Sequence, residues 1–236
     1  MSLPVASPPD VGVVIVAAGA GVRAGPGEPK QFRPILGVPM LLRSLRQFTS
    51  HPAVAQVVVA IPSGHVEHPP EWLGRLLGGE ERLKLVPGGE TRAQSVRAGM
   101  AALLKTLPVV LVHDAARPFV TRETVDAVIG RARSGVGAAA AIPMGDTVKE
   151  VGDAARVVHT VPRGSLWRAQ TPQGFPRTLL AQAYDQWTGS EAPTDDAEVY
   201  ERAGLPVEVV PDSPYNIKVT TADDFRLAEA LAREFR

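Results

Sequence analysis

Val13-Val14-Ile15-Val16-Ala17-Ala18-Gly19-Ala20-Gly21-Val22-Arg23-Ala24-Gly25-Pro26-Gly27-Glu28-Pro29-Lys30-Gln31-Phe32 is the stretch whose reading decides the fold. Its four opening β-branched residues read as a strand buried on both faces. The small, Gly-rich run that follows lets backbone N–H groups close around an anion. Arg23 and Lys30 put two positive charges on the same loop, where they can hold a polyphosphate and stabilise the charge that develops when it is cleaved.

Residues 19–24 also match the G-x-G-x-x-G/A pattern of a dinucleotide site. Such a site needs a helix opening at the glycines and an acid at the end of the next strand, about 20 residues on. Pro26, Gly27 and Pro29 interrupt any such helix, and the next strand-like run, 56–61, ends in Ile61-Pro62 without an acid. A nucleoside-triphosphate loop fits the stretch better, and a Gly-rich turn with solvated charges is the plain alternative.

Around this loop the composition narrows the field. The chain has 236 residues, 44% of them hydrophobic, enough to bury the core of one large α/β domain. Lys plus Arg and Asp plus Glu number 25 each, so no global field favours nucleic acid or an anionic membrane. The absence of cysteine removes disulfides, thiolate chemistry and Cys-ligated metals, and agrees with a cytoplasmic protein. No apolar run approaches the ~20 residues of a membrane span. Residues 1–10 lack the basic start and apolar core of a signal peptide and read as a loose tail before a domain over 11–236. Only five of the 25 basic residues are lysine, so a lysine inside a motif reads as chosen for its compact charge.

Further along, helices are predicted over 39–49, 69–77 and about 91–105, with strands over 56–61, 83–86 and 109–112 between them. A helix capped by Thr121 and the apolar run 136–142 continue an alternation that implies a mostly parallel sheet with helices on both faces. The segments 147–151 and 157–161, joined by Gly152-Asp153-Ala154, break it: they read as an inserted β-hairpin arm at about 146–164. Helices over 176–187 and 195–203, a strand over 207–210 and a helix capped by Thr221 complete the chain.

Ligands of open α/β sheets bind outside the carboxyl ends of the strands. Strand one delivers the glycine loop with Arg23 and Lys30; the strand ending near Val86 delivers Gly88, Gly89, Glu90 and Ser95. The strand ending at Val112 delivers His113, Asp114 and Arg117, and a late segment brings Lys218. Each has a plainer reading. Glu90 can simply cap the helix it precedes, Asp114 and Arg117 can be a structural ion pair, and His113 reads as packed rather than acid-base. Asp195 and Asp196 read as helix N-terminal acids, and Thr147, Arg163 and Thr171 lie on or beside the hairpin, where an arginine is usually solvated. No His/Asp/Glu set has zinc spacing, and no nucleophile-base pair appears, which leaves positional and electrostatic catalysis of the kind that phosphoryl and nucleotidyl transfer use.

Taken in order, Ala17-Ala18-Gly19-Ala20-Gly21-Val22-Arg23, Pro29-Lys30-Gln31, Gly88-Gly89-Glu90-Thr91-Arg92, His113-Asp114-Ala115-Ala116-Arg117-Pro118, Asp146-Thr147-Val148-Lys149, Thr171-Pro172-Gln173 and Asn216-Ile217-Lys218-Val219-Thr220 resemble the 2-C-methyl-D-erythritol 4-phosphate cytidylyltransferases of the non-mevalonate isoprenoid pathway. The resemblance covers about residues 11–234. It implies a Rossmann-like α/β sheet whose hairpin makes a homodimer. The implied reaction joins CTP and the alcohol phosphate into 4-diphosphocytidyl-2-C-methyl-D-erythritol and pyrophosphate, with Mg²⁺ held through the CTP phosphates and by Asp114. It maps CTP contacts to Ala17, Ala18, Gly19, Ala20, Gly21, Gly89, Glu90, Ser95, Asp114 and Ala115. Acceptor contacts map to Thr147, Arg163, Thr171 and Lys218, and the catalytic cations to Arg23, Lys30, Arg163 and Lys218. Two departures stand out: Val16 where many members have Pro or Ala, and Glu90 where some have Asp. The rivals are a pyrophosphorylase for another acceptor, such as ribitol phosphate or a sugar 1-phosphate, and a non-catalytic nucleotide-binding module.

Overall fold

A computed structural model describes residues 8–19, 21, 25, 27–189 and 191–234. Most of the expected loose tail, residues 1–7, lies outside the described residues, as do Ala20 and Arg23 of the glycine loop. The strands are β1 (Val11–Val16), β2 (Pro34–Ile35), β3 (Val38–Pro39), β4 (Val54–Ile61), β5 (Leu83–Pro87), β6 (Val109–Asp114), β7 (Gly137–Pro143), β8 (Val148–Val151), β9 (Val157–Val161), β10 (Trp167–Pro176) and β11 (Val207–Pro211). The helices are α1 (Met40–Thr49), α2 (Gly64–Glu67), α3 (Glu71–Gly79), α4 (Arg92–Ala102), α5 (Arg122–Arg133), α6 (Arg177–Asp185), α7 (Asp196–Arg202) and α8 (Ala222–Glu234).

Seven strands form one sheet in the order β11-β7-β10-β6-β1-β4-β5. β1 sits inside it, paired in parallel with β4 and β6, which is why its apolar run has no polar alternation. Its side chains feed both faces. Val11, Val13 and Ile15 join a core with Leu41, Leu45 and Phe48 of α1 and Val125, Val128 and Ile129 of α5, whereas Val14 joins Val96 and Met100 of α4, Leu180 of α6 and Val199 of α7. A third, smaller core unites Ile35, Met40, Phe119 and Val219 with Ala228 and Ala232 of α8.

The expected α/β architecture is therefore present, with one correction. Residues 167–176, for which no strand was expected, form β10, antiparallel to both β6 and β7 in the middle of the sheet. Thr171 belongs to this strand rather than to the hairpin. Gln170, Thr171 and Gln173 are buried although polar, and Pro172 and Pro176 flank them, so the segment shows none of the apolar pattern of an inner strand. Both glutamines find partners far along the chain: Gln173 Nε2 donates to Asp195 at 2.8 Å and Gln170 Nε2 to the Asn216 carbonyl at 2.9 Å. The hairpin arm is present as a separate two-stranded sheet of β8 and β9. Among the described residues no helix is long and apolar enough to cross a membrane.

Candidate active site

A cavity of about 650 Å³ opens at the carboxyl ends of β1, β5 and β6. From β1 come Ala17, Ala18, Gly19 and Gly21; from the turn between β5 and α4 come Gly89, Glu90 and Ser95; from β6 come Asp114 and Ala115. Lys30 and Lys218 line it as well. Gly21 has φ +67°, and a Cβ there would lie 2.8 Å from Cγ of Lys30, so both backbone and space require glycine. Gly88 is constrained by contact alone: a Cβ would meet that of Ala18 at 2.2 Å, because two strand-end loops converge there.

Hydrogen bonds fix each loop. Gln31, buried beside the cavity, donates Nε2 to the Ala17 carbonyl at 2.7 Å. Ser95 Oγ accepts from Gly89 N–H and donates to the Thr91 carbonyl, both at 3.1 Å, which holds the β5–α4 turn closed. The cap of α4 is Thr91, paired with Gln94 in a capping box, so Glu90 is not the cap but a cavity residue just before it. The turn after β6 is tied by Ala115 N–H to the Val16 carbonyl at 3.1 Å and by Ser44 Oγ to the Ala115 carbonyl at 2.9 Å.

Asp114 is the electrostatic centre. Lys218 Nζ lies 2.7 Å from its Oδ2 and Arg92 Nε 3.2 Å from its Oδ1. Burial pushes this carboxyl up, but Arg92, then Lys218 and Arg117 outweigh it and hold it well below the usual carboxylate range. The alternative reading of Asp114 and Arg117 as an ion pair gives way to pairs with Arg92 and Lys218, while Arg117 Nη1 donates to the Asn216 carbonyl at 2.8 Å. Asn216 is fully buried and donates Nδ2 to the Thr171 carbonyl and to Asp212, which locks the segment leading to Lys218. Lys30 Nζ donates to the carbonyl of Val219 at 3.0 Å, so the two cavity lysines meet one short stretch of chain.

His113 is packed, as expected. Burial pushes its imidazole down to about 4, so it is neutral at physiological pH. Its Nε2 donates to the Arg117 carbonyl at 3.0 Å, and Nδ1 therefore accepts from the Thr171 hydroxyl at 3.1 Å. The same hydroxyl accepts from the Asp114 N–H at 3.0 Å. Thr171 thus stands behind Asp114, 4% exposed, and does not line the cavity. Thr147 and Arg163 also lie away from the cavity lining, exposed at the base of the arm, where Arg163 donates to the Gly145 carbonyl. Asp195 is the N-cap of α7, as read, whereas Asp196 is a fully buried partner of Arg92.

Sequence reasoning assigned no role to Arg92, Gln31 or Thr220, all of which line the cavity. All three sat inside quoted motifs, a usable signal. The burial of Asp196 that fixes Arg92 left no trace in the local pattern.

Comparison with known proteins gives a consistent result. The sequence profile of a family described as 2-C-methyl-D-erythritol 4-phosphate cytidylyltransferase matches residues 11–234. The chain is 46% identical to the 2-C-methyl-D-erythritol 4-phosphate cytidylyltransferase of Streptomyces coelicolor, over 95% of this chain and 86% of the other. The crystal structure of the Thermus thermophilus protein of that name superposes with a TM-score of 0.78 at 37% identity, covering 95% of this chain and 99% of that one. The 4-diphosphocytidyl-2C-methyl-D-erythritol synthase of Anaerococcus prevotii superposes with a TM-score of 0.81 at 25% identity, covering 94% and 96%.

Proposed function

The chain belongs to the 2-C-methyl-D-erythritol 4-phosphate cytidylyltransferase family, and on that premise we propose how its cavity carries out the transfer. The protein is a nucleotidyltransferase that joins CTP and 2-C-methyl-D-erythritol 4-phosphate. The observation that carries the site reading is the convergence of glycine backbone, Lys30, Lys218 and Asp114 on one cavity at the strand ends.

The acceptor's phosphate oxygen attacks the α-phosphorus of CTP in line, pyrophosphate leaves, and no covalent enzyme intermediate forms. Two observations support this. The chain has no cysteine, and the cavity serine, Ser95, spends its hydroxyl on Gly89 and Thr91 with no base beside it. Ala17, Ala18, Gly19 and Gly21 bound the triphosphate. Gly89, Glu90, Ser95, Asp114 and Ala115 take the cytosine and ribose. Lys30, with Arg23, stabilises charge on the α-phosphate, and Lys218 orients the attacking phosphate.

The described residues contain no cluster of three or more His, Cys, Asp or Glu able to cage a metal. The cavity presents two carboxylates, Glu90 and Asp114, and Asp114, at the carboxyl end of β6, suits a hard cation that brings phosphate and water ligands of its own, as Mg²⁺ does. We assign Mg²⁺ to Asp114 and the CTP phosphates, where it would neutralise triphosphate charge.

The acceptor side rests on a homodimer. β9 is exposed along nearly its whole length, with Val157 at 58% and Val158 at 62%, and a two-stranded ribbon cannot bury both faces on itself. In the dimer the arm crosses to the second subunit, and Thr147 and Arg163 complete the partner's acceptor site. A pyrophosphate-release assay across four nucleoside triphosphates and several polyol phosphates tests the assignment. Release specific to CTP with 2-C-methyl-D-erythritol 4-phosphate is expected; equal turnover of ribitol phosphate or a sugar 1-phosphate would contradict it.

A further inference from the structure

Asp114 is gripped from two sides, and phosphate chemistry accounts for only one of the cations. Arg92, the first residue of α4, reaches Asp114 Oδ1 with Nε at 3.2 Å and, from the same guanidinium, Asp196 Oδ2 with Nη1 at 2.7 Å. Asp196 is fully buried; its Oδ1 accepts the Tyr184 hydroxyl at 2.6 Å, and its backbone N–H donates to Gln173 Oε1 at 3.0 Å. One planar fork therefore spans a carboxylate that faces the cavity and one sealed between α6 and α7. A buried carboxylate strongly requires its cation, so Asp196 pins the guanidinium, and the rigid fork then dictates where Nε stands.

We propose that Arg92 is a positioning residue for the cytidylyl transfer: anchored on Asp196 and Tyr184, it sets the orientation in which Asp114 meets the nucleotide. The inference rests on the reading of Asp114 as a nucleotide-facing group. It also extends the site beyond the cavity, because the α6–α7 layer becomes part of the machinery that places a strand-end carboxylate. The groups facing Asp114 are Arg92 from α4, Lys218 from the segment after β11, and Arg117 and His113 from its own turn and strand.

Deleting Arg92 alone would strand a buried acid and confuse folding with function. The test therefore uses two variants of the full chain. Arg92→Lys keeps the charge but can serve only one of the two carboxylates, whereas Arg92→Gln with Asp196→Asn removes both buried charges together. Each is compared with wild type and Asp114→Asn for pyrophosphate release from CTP, resolved into kcat and KM, and for thermal melting. Both variants are expected to fold and to lose roughly 10–100-fold in kcat/KM for CTP, the range seen when the support of an active-site ligand is removed. In both, the loss is expected to fall on kcat more than on the KM for CTP, a split that a merely structural role would not produce. Asp114→Asn at wild-type rate would sink the underlying reading of Asp114. An impaired Asp114→Asn beside either folded Arg92 variant within about threefold of wild type would overturn the inference alone. Failure of both variants to fold would assign Arg92 to the fold and overturn it too.

Discussion

The strand-end cavity and the hairpin arm come from one chain but are held by different physics. Around the cavity, Asp114, Arg92 and Asn216 each meet two or more partners at hydrogen-bond distance, and the turns after β5 and β6 are tied to neighbouring elements. Along the arm, residues 151–160 are all exposed, and polar contacts such as Lys149 with Thr160 and His159 with Glu150 are between exposed side chains. The polar ties of the first region lie within one subunit. The second is a hydrogen-bonded ribbon with apolar side chains left uncovered, which is what a surface awaiting a partner looks like.

That contrast can be broken at several points. The largest effect belongs to Lys30→Ala, expected to lower kcat by ~10²–10³ while the KM for the acceptor phosphate moves little, because the charge is used in the transition state. An unchanged kcat in steady-state kinetics would remove Lys30 from the catalytic set.

The next concerns His113, which ties the turn after β6. Its imidazole is pushed down from an ordinary value near 6.5 to about 4, so the folded protein declines a proton that the unfolded chain accepts. The resulting stability is complete above about pH 6.5 and declines as pH falls from there towards 4, by up to about 3 kcal/mol. Urea denaturation of wild type and His113→Gln at neutral and acid pH checks this. The difference between them should depend on pH, and parallel curves would contradict the account.

Gly88→Ala probes how tightly two cavity loops converge. With its Cβ 2.2 Å from that of Ala18, the added methyl should cost about 1–3 kcal/mol, read as a fall in Tm of several degrees. A Tm equal to wild type would mean that the loops separate freely. The smallest effect on the single chain is predicted for Val158→Lys on the arm, within about 0.5 kcal/mol of wild-type stability. The same substitution should shift a dimer towards monomer in sedimentation velocity. A large loss of chain stability without that shift would mean that the arm packs on its own subunit.

What the sequence disclosed follows the same divide. β1, β4 and β6 were legible because strands covered on both faces carry unbroken apolar runs, and the glycine loop was legible because only its backbone and charges matter. The hairpin was legible from two short valine-rich segments around Gly152. β10 was not, because it carries buried polar side chains whose partners, Asn216 and Asp195, lie far along the chain. For the same reason the sequence offered only the nearby Arg117 as an alternative ion-pair partner for Asp114, whereas the fold supplies Arg92 and Lys218. Local periodicity reports which face is buried and carries no record of a polar pair assembled by topology.

The central claim is that a cavity built by one subunit is completed by the other's arm, and subunit mixing tests it most directly. Lys30→Ala and Arg163→Ala, each nearly inactive alone, are combined under conditions shown to exchange subunits. If the arm crosses, both lesions of a heterodimer fall in one site and its other site is intact, so random pairing restores about a quarter of wild-type activity. No recovery in an exchanged mixture would place Arg163 in its own chain's site or in none, and the two-subunit account would fail.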